Sequence, residues 1–336
     1  MKGWVNNVKK NRFEIDMCNG SIMDKLISFS LPLMVSGILQ LAFNAVDIIV
    51  VGRFSGSQAL AAVGSTTALI NVFTNLFIGI SLGANVLAAR FYAAGKDREM
   101  SETVHTSITL ALISGIMMAV IGVLLAKWAL EIMGTPDDVI GQSALYMRIY
   151  FMGMPFFMLY NYGAAILRAI GDTKRPLIFL IISGIANAAL NMTLVILFHM
   201  GVAGVAIGTI ISQLISCVLV LTCLYRSEGS YQLRFSKLKI NGAYMEQIFQ
   251  VGVPAGIQST VINLSNALLQ SSVNSFGEIT VAGNSAAANI EGFVYVAMNS
   301  LYQAAISFTG QNVGAGKYER VNRILYTAEV CVIVVG

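Results

Sequence analysis

Between Pro176 and Tyr225 the chain runs for fifty residues without one Asp, Glu, Lys or Arg. A helix crosses the roughly 30 Å hydrocarbon core of a bilayer with about 20 apolar residues. The run is therefore too long for one span, and His199-Met200-Gly201 is the natural turn between two. The rest of the chain follows suit. Only 11% of its 336 residues are charged, 56% are hydrophobic, and the mean hydropathy is +0.72. An ordinary soluble domain carries about 25% charged residues, so this chain could not cover a water-facing surface. A soluble globular enzyme, a disordered chain and a nucleic-acid binder are all excluded.

The apolar pattern predicts an all-α polytopic membrane protein with eight complete spans and one incomplete one. They fall near 26–51, 59–89, 104–126, 139–167, the two halves of 176–225, 247–276 and 280–311, with the ninth starting near Val321. Thr135-Pro136-Asp137 supplies a cap, a proline and an acid at the start of the fourth span. Asp172-Thr173 and Pro176 do so for the fifth. Pro32, Pro155 and Pro254 fall inside spans or near their ends, where neighbouring helices can re-satisfy the backbone. The polar first twenty residues read as a tail with no cleavable signal peptide.

Placing the N-terminus in the cytoplasm puts 18 of the 21 Lys and Arg residues inside, leaving Arg53, Lys127 and Arg148 on or toward the other side. Such a bias sets orientation in membranes. The expected location is the inner (plasma) membrane, multi-pass, as a monomer. Cys18, Cys217, Cys223 and Cys331 form no CxxC pair, and His105 and His199 are the only histidines. Neither a disulfide framework, a zinc site nor a bound cofactor is expected.

The sequence also repeats itself. Ser30-Leu31-Pro32 corresponds to Gly252-Val253-Pro254, and Phe54-Ser55-Gly56 to Phe276-Gly277-Glu278. ARFYAAGKDREM at Ala89–Met100 corresponds to GQNVGAGKYERV at Gly310–Val321. The offset of 221–222 residues corresponds to six spans, so both copies start on the same side, as in transporters with parallel repeats. The expected organisation is a tail (1–25), an N-lobe of six spans (26–226), an inter-lobe linker (227–245) and a partial C-lobe (246–336). The second copy would extend to roughly residue 460, so the sequence reads as part of a twelve-helix protein.

Two acids lie clearly within apolar spans, Asp47 and Glu291. A charge at the centre of a membrane helix costs on the order of 2.5–3.5 kcal/mol on insertion scales, so such residues usually face a cavity and serve function. Gln40, Asn44 and Asp47 share one helix face. Asn187 and Asn191 lie one turn apart on the fifth span, and Thr209 lies on the sixth. At about 1.5 Å per residue, Asp47 sits roughly 7 Å, Asn191 and Thr209 roughly 10 Å, and Asn187 roughly 16 Å from the outer ends of their spans. One carboxylate with amide and hydroxyl oxygens suits a hard monovalent cation, or a proton on the carboxylate. The same asparagines would also serve simply to bond neighbouring helices. Asn71 and Asn75, with Thr67, mark one face of the second span. Asn263, Asn266, Gln270 and Asn274 mark one of the seventh, as packing or cavity lining. Glu291 aligns with Tyr295 and Tyr302, an arrangement that can receive an organic cation by charge and cation–π attraction. Gly79 and Gly83 form a GxxxG pair suited to close helix packing.

The chain resembles the multidrug and toxic compound extrusion (MATE) family, in its DinF-like bacterial branch. The carriers are SLPLMVSGILQLAFNAVDIIVVGRF, GSQALAAVGSTT, LRAIGDTKRPL, NAALNMTLVILFHMGVAGVAIGTIIS and GQNVGAGKYERV. The resemblance implies two six-helix lobes around a central cavity that opens alternately to either side. It implies a secondary antiporter, not an enzyme, exporting small organic cations or amphiphiles in exchange for Na+ or H+. Asp47, Asn187, Asn191 and Thr209 match the family's coupling-cation positions, and Pro32 its bending proline. Family members often carry an aspartate where Asn191 stands, so this site has one charge fewer. NorM-like members place an acid in the seventh span, and this chain has none there. The alternative is a flippase for lipid-linked oligosaccharide, which would need a row of cavity arginines; only Arg148 lies well inside a span.

Overall fold

The computed structural model describes residues 13–274 and 278–336 and is all-helical. Lys2, Lys9, Lys10 and Arg12 lie outside the described residues, as do Phe276 and Gly277. Among the described residues ten α-helices follow in order: α1 (Ile22–Phe54), α2 (Gly56–Ala93), α3 (Asp97–Ile132), α4 (Asp137–Met152), α5 (Met154–Ala169), α6 (Lys174–Met192), α7 (Gly201–Arg226), α8 (Gly242–Asn274), α9 (Glu278–Gly314) and α10 (Tyr318–Val335). By length and composition, five segments can cross a membrane among the described residues: α1, α2, α3, α6 with the π-turn that extends it to Leu197, and α7. This is fewer than the eight complete spans expected. The fourth span is broken in two, and α8 and α9 carry many Ser, Thr and Asn residues that lower their hydropathy.

The break in the fourth span has a local cause. Pro155 has no N–H to give to the carbonyl four residues back. Gly153 takes over, its carbonyl accepting from the N–H groups of Phe156 and Phe157, both at 3.1 Å. Gly115 of α3 admits the broken turn: a Cβ there would lie 2.5 Å from the Pro155 Cα. The expected turn at His199-Met200-Gly201 is present, with left-handed φ of 53° at His199 and 55° at Gly201. Helix α1, capped by Ser21, opens ten residues before Pro32, which lies buried within it. Pro254 also lies inside its helix, α8, but is exposed. Helix α4 starts one residue after Pro136, with Asp137 and Asp138 in its first turn. At α6 the capping group is Asp172, whose carboxylate accepts from the N–H groups of Lys174 and Arg175 at 3.1 Å and from the Arg175 side chain. Burial pushes the Asp172 carboxyl up, against the downward pull of these bonds.

The repeat is a repeat of structure. Helices α1 and α8 are both 33 residues long, and α3 and α10 start at 97 and 318. The two lobes meet mainly where α2 packs on α8, and glycines set the approach. A Cβ on Gly79 would lie 2.3 Å from the Gly256 Cα, and one on Gly83 would lie 2.1 Å from the Ile248 carbonyl oxygen. The GxxxG of α2 thus meets Gly252 and Gly256, a second GxxxG on α8. Asn85 and Ser307, 222 residues apart, bond across the lobes at 3.0 Å.

These contacts gather toward the end of the bundle that carries most of the basic residues. There the segment 13–20 straps the lobes together. Glu14 accepts from the hydroxyls of Tyr92 and Tyr231 at 3.0 and 2.9 Å, and the Ile15 N–H donates to the Gly171 carbonyl. On the other lobe, the Asn312 amide donates to the Met17 carbonyl, and Lys317 Nζ to the Cys18 carbonyl and Asn19 Oδ1. Toward the opposite end the lobes diverge, and a Cβ on Gly64, Gly283 or Gly292 would meet nothing within 4 Å. Many large apolar side chains face outward, among them Leu124 and Leu197 at 72% exposure. In water such a surface would drive aggregation; in a bilayer it is the lipid-facing wall.

Candidate cation site

Asp47 of α1, Asn187 and Asn191 of α6 and Thr209 of α7 form one continuous chain of hydrogen bonds. The Asn191 amide nitrogen donates to the Asp47 carboxylate and, at 3.2 Å, to Asn187 Oδ1. The Asn187 amide nitrogen donates to Thr209 Oγ1 at 3.5 Å, and the Thr209 hydroxyl donates to the Val205 carbonyl at 2.9 Å. Asn187 and Asn191 are buried, Asp47 and Thr209 half-buried. The one-turn spacing of the asparagines aims both amides at α7, and packing of α1 on α6 brings in Asp47. That packing is tight: a Cβ on Gly184 of α6 would lie 1.9 Å from the Phe43 ring of α1.

The amide oxygen of Asn191 is buried and has no hydrogen-bond partner. A buried acceptor left unpaired costs about 1–3 kcal/mol. With the Asp47 carboxylate, Asn187 Oδ1 and Thr209 Oγ1 it makes an all-oxygen set, the donor chemistry that hard cations prefer over transition metals. Among the described residues no group of three or more His, Cys, Asp or Glu side chains converges as a metal cluster.

Four contributors were not singled out from the sequence. Gly208, beside Thr209, lies against Asn191: a Cβ there would fall 2.1 Å from Asn191 Oδ1. Gly208→Ala is therefore expected to push Asn191 off Asp47 and weaken ion-driven transport at least tenfold, with unchanged protein level, measured by efflux in vesicles. Tyr146 and Tyr150 of α4 stack on one another at 6.1 Å and lie within electrostatic reach of Asp47. Gln213 of α7 fits against Gly153, where a Cβ would lie 2.7 Å from its buried, unpartnered amide oxygen. A Gly-Thr pair in a charge-free helix was the available signal for Gly208; nothing local marks the tyrosines, which reach the site only through the break at Gly153.

The candidate cavity residues divide differently. Gln40 and Asn44 of α1, Asn71 of α2, Asn266 of α8 and Glu291 and Tyr295 of α9 are exposed, and Asn75 is half-buried. The side chains of Gln270 and Asn274 lie outside the described residues. None of the described ones joins the hydrogen-bonded chain around Asp47. Pro32 lies on α1 at the basic half, fifteen residues from Asp47, where its missing N–H leaves a weak point in the helix.

Comparison with known proteins agrees with this architecture. The MatE family model matches residues 32–193 and 254–336. The probable multidrug resistance protein YoeA of Bacillus subtilis is 31% identical over 314 residues, 91% of this chain and 67% of that protein. The FAD transporter of Shewanella oneidensis is 23% identical, over 89% of this chain and 67% of its own length. A multidrug resistance MATE transporter of the MOP superfamily, solved in an outward-facing conformation, superposes with a TM-score of 0.89 at 21% identity, covering 97% of this chain and 72% of that one. A MATE structure in a bent conformation gives 0.86 at 22% identity, covering 94% and 70%. The chain thus spans about two thirds of the length of such relatives. The family match makes this all-helical chain a polytopic membrane transporter, not an enzyme. The chain belongs to the MatE family.

Proposed function

We propose that the intact transporter exports small organic cations or amphiphiles, drugs or metabolites, in exchange for Na+ or H+ by alternating access. The observation that carries this is the bonded chain Asp47–Asn191–Asn187–Thr209 with its orphaned amide oxygen. A cation bound there, or a proton on Asp47, would change how α1 is held against α6. Pro32 lies on that helix and gives it a place to bend. The polar residues exposed where the lobes diverge, including Asn71, Asn266 and Glu291, are the proposed substrate-facing surface. The names of the relatives, multidrug resistance proteins for the most part, support this substrate class. The basic end is proposed to be cytoplasmic, in the plasma membrane. The lobes would then be closed inside and open outside, as in the outward-facing relative.

Export from proteoliposomes, with Na+ and H+ gradients imposed separately, tests the proposal. Transport insensitive to both gradients would overturn it. The Asn191→Asp variant sharpens the test. It sets a second carboxylate against Asp47, and two such groups in contact hold a proton or a cation between them. Its export is expected to depend more steeply on an inward proton gradient than that of the parent, measured as the ratio of ΔpH-driven to ΔNa-driven rates.

A further inference from the structure

We propose that the inter-lobe linker forms a binding site for the phosphate of an anionic phospholipid, with Arg234 and Lys237 as its cationic pair. The linker does not float free of α7. The Leu233 N–H donates to the Leu224 carbonyl at 3.0 Å, and the Gln232 amide donates to the Tyr225 carbonyl at 3.3 Å. The Phe235 ring stacks on Tyr225, with centroids 5.8 Å apart and planes at 26°.

Tyr225 fixes the depth of this assembly. The exposed positions of α7 run in one stripe, Leu214, Val218, Thr222 and Tyr225, at helical spacing. A mostly apolar exposed stripe on a membrane helix faces lipid, and an aromatic at its end sits at headgroup level. Phe235, stacked on that ring, is therefore at the interface too, with both rings more than half exposed.

The charges are organised around this aromatic pair. Residues 235–237 form one turn of 3-10 helix, closed by the Lys237 N–H to the Arg234 carbonyl at 2.9 Å. Arg234, extended at the start of the turn, and Lys237, at its end, flank Phe235. Gln232 Oε1 accepts from Arg234 Nε at 3.1 Å and so orients the guanidinium from behind. Both cations are exposed, as are Arg226 and Lys239 nearby; the acids within reach are Glu228 and, across a groove that Lys237 and Lys239 also line, Asp97 and Glu102. A guanidinium held this way presents its outer edge to a phosphate. The acyl chains would then lie along the α7 stripe, with Phe235 wedged at the glycerol level.

The test uses the intact transporter in phosphatidylcholine nanodiscs with a rising fraction of phosphatidylglycerol, following the melting temperature. The parent is expected to gain stability with a defined midpoint. Each basic group near an anionic surface contributes about fivefold in affinity, so Arg234→Gln/Lys237→Gln should move that midpoint about 30-fold and abolish the gain within the accessible range. Arg234→Lys/Lys237→Arg should keep it. If the double variant does not fold, Lys237→Gln alone, at an exposed position, should shift the midpoint about fivefold. A parental midpoint in the neutralised variants overturns the site. So does an equal shift in Lys96→Gln/Arg323→Gln, which removes the same charge elsewhere and would reveal general surface attraction only.

Discussion

Asp47→Asn is expected to abolish export while leaving the protein folded and inserted. The replacement is isosteric, and its amide oxygen still accepts from the Asn191 nitrogen that now bonds the Asp47 carboxylate. What disappears is the charge. Nothing else at the hydrogen-bonded site is anionic, since Asn187, Asn191 and Thr209 supply only neutral oxygens. Losing a charged partner costs about 1.5–3 kcal/mol per interaction, roughly a 10- to 150-fold loss of cation affinity, and a side chain that cannot titrate carries no proton. In a drug-resistance assay the variant should match cells lacking the transporter at equal protein level. Asp47→Glu, which keeps the charge but moves it by a methylene, should retain part of the activity. Undiminished resistance in Asp47→Asn would remove Asp47 from the mechanism.

The second large effect is expected at the crossing of α2 and α8. Gly83→Leu places a Cβ 2.1 Å from the Ile248 carbonyl oxygen, and the opposing atom is backbone on a long helix. It cannot rotate away as a side chain would, so the helices must separate. Overpacking typically costs about 1–3 kcal/mol, charged here to one conformation, the one in which the lobes meet at the basic end. The variant should lose export and populate a form opened at that end, read as a longer spin-label distance between the exposed Lys96 and Arg323 positions, one on each lobe, substituted with cysteine. Gly64→Leu, on the same helix where no atom lies within 4 Å, should export normally. Equal behaviour of the two variants would show that the crossing does not control access.

Much of this was legible in the sequence because a bilayer imposes strong rules. The charge-free stretch 176–225 had to be two spans, and α6 and α7 turn at His199 as expected. The grouping of Asp47, Asn187, Asn191 and Thr209 followed from residue type and depth, and a single hydrogen-bonded chain joins them. Helix limits were less legible. The spans expected near 26–51 and 247–276 belong to helices of 33 residues each, with Pro32 and Pro254 well inside them. A proline in a membrane helix is carried by its neighbours, and those are not visible along the chain.

The sequence by itself determined that the chain enters a membrane, how its repeat is spaced, and which polar residues lie at matching depth. Periodicity, charge and helical rise are local or one-dimensional, and a linear string contains them. Only the tertiary structure decided which faces meet. It set Gly208 against Asn191, joined two GxxxG pairs at the lobe crossing, and laid residues 13–20 across both lobes. It also folded Phe235 back onto Tyr225. These contacts depend on the rotation of each helix about its axis and on packing between segments up to 308 residues apart, which apolar periodicity leaves open when nearly every face of a helix is apolar.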